Sequence, residues 1–219
     1  MANVVDDEWC ELQVKFKSLF PEIAKKAKLK KNSAVLNLGC GPTVPSRLLK
    51  IGKVTGLDPL AKKLPFKKNS FDVVVMLDVV EHLHEWELEK ALFEANRVLS
   101  KGGKLLVHTS PNKLNMSIVR AIAHMFGIKL ISEKYHVNEQ SPKSLKKILS
   151  KYVKVKKIIL YKDVMYYSKQ MSEKGGLIKK LAKFIDSILD SKVMKVFLQL
   201  PIICVILSTD IYSVCTKKE

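Results

Sequence analysis

Apolar positions along this chain switch repeatedly between short continuous runs and recurrence at helical spacing, and each switch marks a new element. Trp9, Leu12, Phe16, Leu19 and Phe20 fall at helical spacing ahead of a lysine-rich stretch, which predicts an N-terminal amphipathic helix within residues 1–32. Ser33-Ala34-Val35-Leu36-Asn37-Leu38 then breaks into Gly39-Cys40-Gly41-Pro42, the pattern of a buried parallel strand opening into a glycine turn. Leu48, Leu49 and Ile51 suggest a short helix after it. Further continuous runs at Val54–Leu57, Phe71–Leu77 and Lys104–Thr109 predict strands. Between the last two, Leu88, Ala91, Leu92, Ala95 and Leu99 form the stripe of a helix from His84 that Gly102-Gly103 stops. Past Pro111 the pattern predicts a helix near Leu114–Phe126 and another starting at Ser141-Pro142. Then come a strand near Val153–Leu160, a long amphipathic helix from about Leu177 and a last strand near Asp210–Thr216. Strands alternating with helices predict a parallel sheet with helices on both faces.

At 219 residues the chain has room for one full hydrophobic core, and 47% hydrophobic with 27% charged residues excludes disordered and disulfide-scaffold classes. One domain over 1–219 is expected: the N-terminal helix, a half at 33–110, and a half at 111–219 with an amphipathic helical insertion at about 165–203. Cys10, Cys40, Cys204 and Cys215 form no C-x-x-C pair, so reduced thiols and a cytoplasmic setting are expected. No signal peptide or spanning helix is legible. The net charge of +18 is unevenly spread, because residues 111–219 hold 21 of the 39 basic and only 8 of the 21 acidic side chains. Such a field attracts nucleic acid, anionic lipid or phosphorylated substrates, or it is simply a solvated lysine surface.

Candidate chemistry gathers after the predicted strands. Asn37-Leu38-Gly39-Cys40-Gly41 lets backbone approach a ligand at the carboxyl edge of a sheet, where open α/β sheets bind cofactors. Asp58 follows 17 residues after Gly41, at the end of the next strand, where a carboxylate can accept from ribose hydroxyls. Leu64-Pro65-Phe66, Asn69-Ser70-Phe71-Asp72-Val73-Val74, Asp78-Val79-Val80-Glu81-His82-Leu83 and Arg97-Val98-Leu99-Ser100-Lys101-Gly102-Gly103 complete an ordered set. Over roughly residues 30–160, with the last strand, this set resembles the class I S-adenosylmethionine-dependent methyltransferases, particularly their quinone-biosynthesis and small-molecule branch.

The resemblance implies an α/β, Rossmann-like sheet in which Asn37, Gly39, Cys40 and Gly41 frame the methionine part of the cofactor. It places Asp58 on the ribose and Asp78 beside the methyl donor. Pro111-Asn112 resembles the family's loop lining the substrate pocket. Asn37 stands where the family usually has an acidic residue, and Thr43 where it often has a third glycine. Only five residues separate Asp58 from Leu64, where the family fits a helix and a strand, so one sheet edge is expected to be missing and Leu64 to meet the adenine.

Asp78, Glu81 and His82, three and four apart, can converge if a helical start follows the strand, and His136 is a distal fourth ligand type. Such a set suits Mg²⁺ or Mn²⁺. It resembles the acidic-x-x-Glu-His plus distal His pattern of the small-RNA 3′-terminal 2′-O-methyltransferases. The alternative is metal-free, with His82 as proton-handling base and Glu81 orienting it or the acceptor. His108, in an apolar strand, is expected to be a hydrogen-bonded core residue.

The function this implies is methyl transfer to a small-molecule or lipid-like acceptor. The rivals are an RNA methyltransferase with a divalent-metal site, disfavoured by the want of an RNA-binding module, and a non-catalytic cofactor-binding protein. The amphipathic segment from Leu177 either covers the sheet or pocket as a lid, or lies on an anionic bilayer and delivers a lipid-linked acceptor from the membrane periphery.

Overall fold

The computed structural model describes residues 29–30, 32–39, 52–57, 63–125, 136–161 and 205–218, with isolated positions between 176 and 191. The expected N-terminal helix, the short helix at Leu48–Ile51, Cys40, Gly41, Thr43, Asp58 and most of the 165–203 segment lie outside the described residues.

Six strands form one sheet: β1 (Ser33–Leu38), β2 (Gly52–Leu57), β3 (Phe71–Leu77), β4 (Leu99–Thr109), β5 (Val153–Tyr161) and β6 (Asp210–Lys217), in the order β2-β1-β3-β4-β6-β5. Among the described residues β2 is the outermost strand on its side, so the edge expected to be missing is absent there. The sheet departs from the all-parallel expectation at one strand. β1 to β4 pair in parallel, whereas β6 runs antiparallel to both β4 and β5. A strand buried on both faces, as β6 is, reads as a continuous apolar run whichever way it points, so its direction leaves no mark in the sequence.

Among the described residues three α-helices lie between these strands: α1 (Glu85–Val98), α2 (Lys113–Met125) and α3 (Pro142–Tyr152). Ser141 caps α3, accepting from Ser144 N at 3.1 Å, and Pro142 fills the first turn, where its missing N–H costs nothing. Side chains alternate across the sheet. Leu36, Leu38, Val74, Met76, Leu105, Val107 and Ile211 cluster with Leu88, Leu92 and Ala95 of α1 and Leu145 and Leu149 of α3. On the opposite face Val35, Val73, Val75, Leu106, Tyr212 and Val214 form a second cluster.

The Arg97 motif has a structural task. Arg97 donates to Phe66 O at 2.8 Å and Leu64 O at 3.0 Å and forks onto Glu94, whose Oε2 accepts from Leu64 N at 2.8 Å. The Arg97 hydrogen bond holds the Glu94 carboxyl below the usual carboxylate range. Leu64 therefore differs from the expectation of an adenine contact. Its side chain is buried in the core, and both of its backbone polar groups are engaged by α1.

Candidate active site at the carboxyl edge of the sheet

The parallel strands β1 and β3 end together. Asn37, in register with Gly56 of β2 and Val75 of β3, is buried. Gly39 follows at φ +82°, donating to Leu57 O at 2.6 Å. A Cβ on Gly39 would stand 2.4 Å from Val79 Cγ2, so the β1 turn and the turn after β3 touch, and only glycine permits that approach.

Asp78 opens the second turn at φ +55°. Its N–H donates to His108 O at 3.2 Å, and its Oδ1 lies 2.7 Å from His108 Nδ1. His108 Nε2 in turn lies 3.1 Å from Asp210 Oδ1, and the Tyr212 ring covers the imidazole with centroids 4.2 Å apart. Burial pushes His108 down, but the Asp78 and Asp210 carboxylates outweigh it and bring the imidazole up to about 10. His108 is thus the hydrogen-bonded core residue expected, held between two carboxylates.

Val80–His82 then makes a single 3-10 turn, so Glu81 and His82 follow the strand on a helical start, as predicted. Glu81 points inward, 1% exposed, accepting from Thr109 Oγ1 at 2.8 Å and from Ser110 N at 3.4 Å. Its carbonyl accepts from Val137 N at 2.9 Å and Asn138 N at 3.0 Å. That pair of bonds brings His136 to His82, with ring centroids 5.1 Å apart. Burial, and next the Asp78 charge, raise Glu81 to about 8. Burial, and next the His82 ring, lower His136 to about 4, so it is neutral at physiological pH.

Of the four expected metal ligands the structure unites three. One ligand atom each from Glu81, His82 and His136 lie within 4.8 Å of one another. Asp78 is not among them, because its carboxylate is taken by His108. His136 Nδ1 is buried with no hydrogen-bond partner among the described residues; Glu139 Oε1, itself forked by Arg120, stands 3.9 Å away. One carboxylate and two imidazoles is a nitrogen-rich set, better matched to Mn²⁺ or another borderline ion than to Mg²⁺, which prefers oxygen.

Sequence reasoning missed Thr109 and Ser110, which bind Glu81, and Asp210, which braces His108. The one legible signal was a polar residue at the end of each apolar run. Asn112 departs from the expected pocket-lining role: it is fully buried, and its Nδ2 donates to Val205 O at 2.8 Å and Ser208 O at 3.1 Å. It ties the loop after β4 to the segment before β6. Among the described residues no helix is long and apolar enough to cross a membrane.

Residues 59–107 match the methyltransferase domain family. An uncharacterized protein of Methanocaldococcus jannaschii is 36% identical over 109 residues, 41% of this chain and 47% of that one, so the chain spans about half the length of that curated relative. Among solved structures, a protein from the complex of the Haloferax volcanii Trm112 methyltransferase activator with a methyltransferase has a TM-score of 0.56 at 16% identity, covering 99% of this chain and 98% of that one. A S-adenosylmethionine-dependent methyltransferase of Methanosarcina mazei has a TM-score of 0.53 at 13% identity, with 86% and 94% covered. Geranyl diphosphate C-methyltransferase of Streptomyces coelicolor, solved with Mg²⁺, geranyl-S-thiolodiphosphate and S-adenosyl-L-homocysteine, has a TM-score of 0.54 at 13% identity, with 92% and 76% covered. The chain therefore shares the Rossmann-like fold of these structures, and residues 59–107 are similar to the methyltransferase domain family.

Proposed function

We propose that this methyltransferase domain transfers a methyl group from S-adenosylmethionine to a small-molecule or lipid-like acceptor. Its machinery is Asn37, Gly39, Cys40, Gly41, Asp58 and Asp78 on the cofactor side and Glu81, His82 and His136 on the acceptor side. The observation that carries the reading is the contact of the Gly39 turn with the Asp78–His82 turn. It sets a left-handed glycine beside a convergent carboxyl and two imidazoles at the edge where open α/β sheets bind ligands.

Two described positions support the cofactor reading: Gly39 turns left-handed at the end of β1 with Val79 packed against it, and the buried Asn37 closes the strand end. Bound S-adenosylmethionine supplies an activated methyl on a sulfonium, so the S–CH₃ bond breaks as the bond to the acceptor forms, leaving S-adenosylhomocysteine. The protein must hold the acceptor in line and remove its proton. His82, exposed at the mouth, takes that proton in this reading, and Glu81 orients it through the turn. The neutral His136, the unpartnered Nδ1 and the three converging ligand atoms also fit Mn²⁺, which when bound lowers the pKa of an acceptor hydroxyl.

Calorimetry with S-adenosylmethionine and its demethylated product tests the cofactor assignment. Wild type should bind, and Asp58→Ala should weaken binding by about 1.5–3 kcal/mol per ribose bond lost. A wild type that binds neither ligand ends the methyltransferase reading. Tritiated methyl transfer over lipid, quinone and tRNA pools names the acceptor class, and label found only in tRNA would replace the small-molecule reading by the RNA one.

A further inference from the structure

Behind Asp78, the transfer chemistry leaves a buried pair unused, His108 and Asp210. Asp78, His108 and Asp210 form a line of two ionic contacts, 2.7 and 3.1 Å long, running from the cofactor edge of β3 across β4 to β6. Asp210 is 4% exposed and lies on the far side of the His108 ring from Asp78. Three ionisable groups taken from water are costly unless their geometry serves something.

What they serve is legible at Asp78. Its φ of +55° lies in the left-handed region, uncommon for side-chain-bearing residues though reached more readily by Asp, and two contacts hold it there. One residue supplies both restraints, the His108 carbonyl on the Asp78 N–H and the His108 ring on the carboxylate. The ring is fixed from behind by Asp210, whose carboxylate accepts from the Thr209 hydroxyl. Thr209 is tied to its neighbours through its N–H on Tyr161 O at 2.8 Å and its carbonyl on Asn112 N at 2.7 Å.

We propose that His108 is a positioning residue for the cofactor: clamped between Asp78 and Asp210, it fixes Asp78 at the lip of the cofactor cleft, so that Asp210 sets cofactor affinity without touching the cofactor. This rests on Asp78 bordering the cofactor, as read above.

The test is a double-mutant cycle on S-adenosylmethionine affinity, with thermal stability measured in parallel. His108→Gln and Asp78→Asn should each weaken binding about tenfold, the loss of one charge-assisted contact, with the acceptor KM unchanged. The double variant should bind no worse than the weaker single, because both remove the same arrangement. Asp210→Asn, nearly isosteric, should weaken binding about threefold or more, and it replaces His108→Gln in the cycle if that variant does not fold. A folded His108→Gln or Asp210→Asn with wild-type affinity and only a lowered Tm overturns the proposal, as does a double variant whose losses multiply. A wild type that binds no S-adenosylmethionine overturns the cofactor reading and this proposal together.

Discussion

Replacing Arg97 by Met keeps an unbranched aliphatic stem at this position of α1 and removes every donor the guanidinium offers. Two hydrogen bonds from a cation to the Leu64 and Phe66 carbonyls disappear, and the buried Glu94 carboxylate loses its fork. Charge-assisted hydrogen bonds contribute about 1.5–3 kcal/mol each, and Arg97 is partly solvated, with 22% of its side chain exposed, so the net loss should be about 2–4 kcal/mol. For a chain of this size that lowers Tm by roughly 5–12 °C. The pH dependence carries a sign. Glu94 is held below its ordinary value of 4.5, so its contribution is complete above that pH and is lost as pH falls through the folded value. Urea unfolding of both proteins should therefore show the full gap at pH 6 to 7 and a narrowing one below pH 4.5, where Glu94 protonates and no longer needs Arg97. A gap below about 1 kcal/mol at pH 7, or one that widens in acid, would refute the pinning role.

Gly39→Ala should cost about 1–3 kcal/mol in urea unfolding and weaken S-adenosylmethionine binding as well, since the new Cβ meets Val79 and the residue must hold a left-handed φ; unchanged stability would mean the two turns are not in contact. Glu81 is raised from 4.5 to about 8, so with EDTA present wild type should lose stability as pH climbs through that window, by at most about 5 kcal/mol, while Glu81→Gln, which cannot ionise, does not. Parallel pH profiles for the two proteins would contradict a buried, proton-retaining Glu81. His136→Ala should abolish any Mn²⁺-induced rise in Tm seen for wild type; an undiminished rise would place the ion elsewhere.

Element order was legible because its signals are local. Ser141-Pro142 announces α3, the continuous run Phe71–Leu77 announces β3, and the short Asp58–Leu64 spacing announces a trimmed edge. The grouping of Glu81, His82 and His136 was legible only in part, since the three- and four-residue spacing pointed to convergence on Asp78, which stands outside the set. Asp78 stands outside the converging set because β4 carries an imidazole alongside it, which nothing local to Asp78 shows. The pairing of Leu77 with His108, and of His108 with Tyr212, exists only once the sheet registers are set. Leu64 misled for a similar reason. Its neighbours in sequence say nothing of Glu94 and Arg97, which reach it from 30 and 33 residues away.

The placement of β6 bears on when the protein can first work as it leaves the ribosome. Residues 210–217 are the last of the described strands to be synthesised, yet they lie between β4 and β5, which do not pair with each other. Until they emerge, β2-β1-β3-β4 stands with the apolar edge of β4 uncovered, an invitation to association with other nascent chains. Asp210 arrives on that same strand, so the clamp behind His108 closes only when the sheet does. A nascent chain stalled before this strand would carry every cofactor-side residue named above and still hold the His108 ring from one side only.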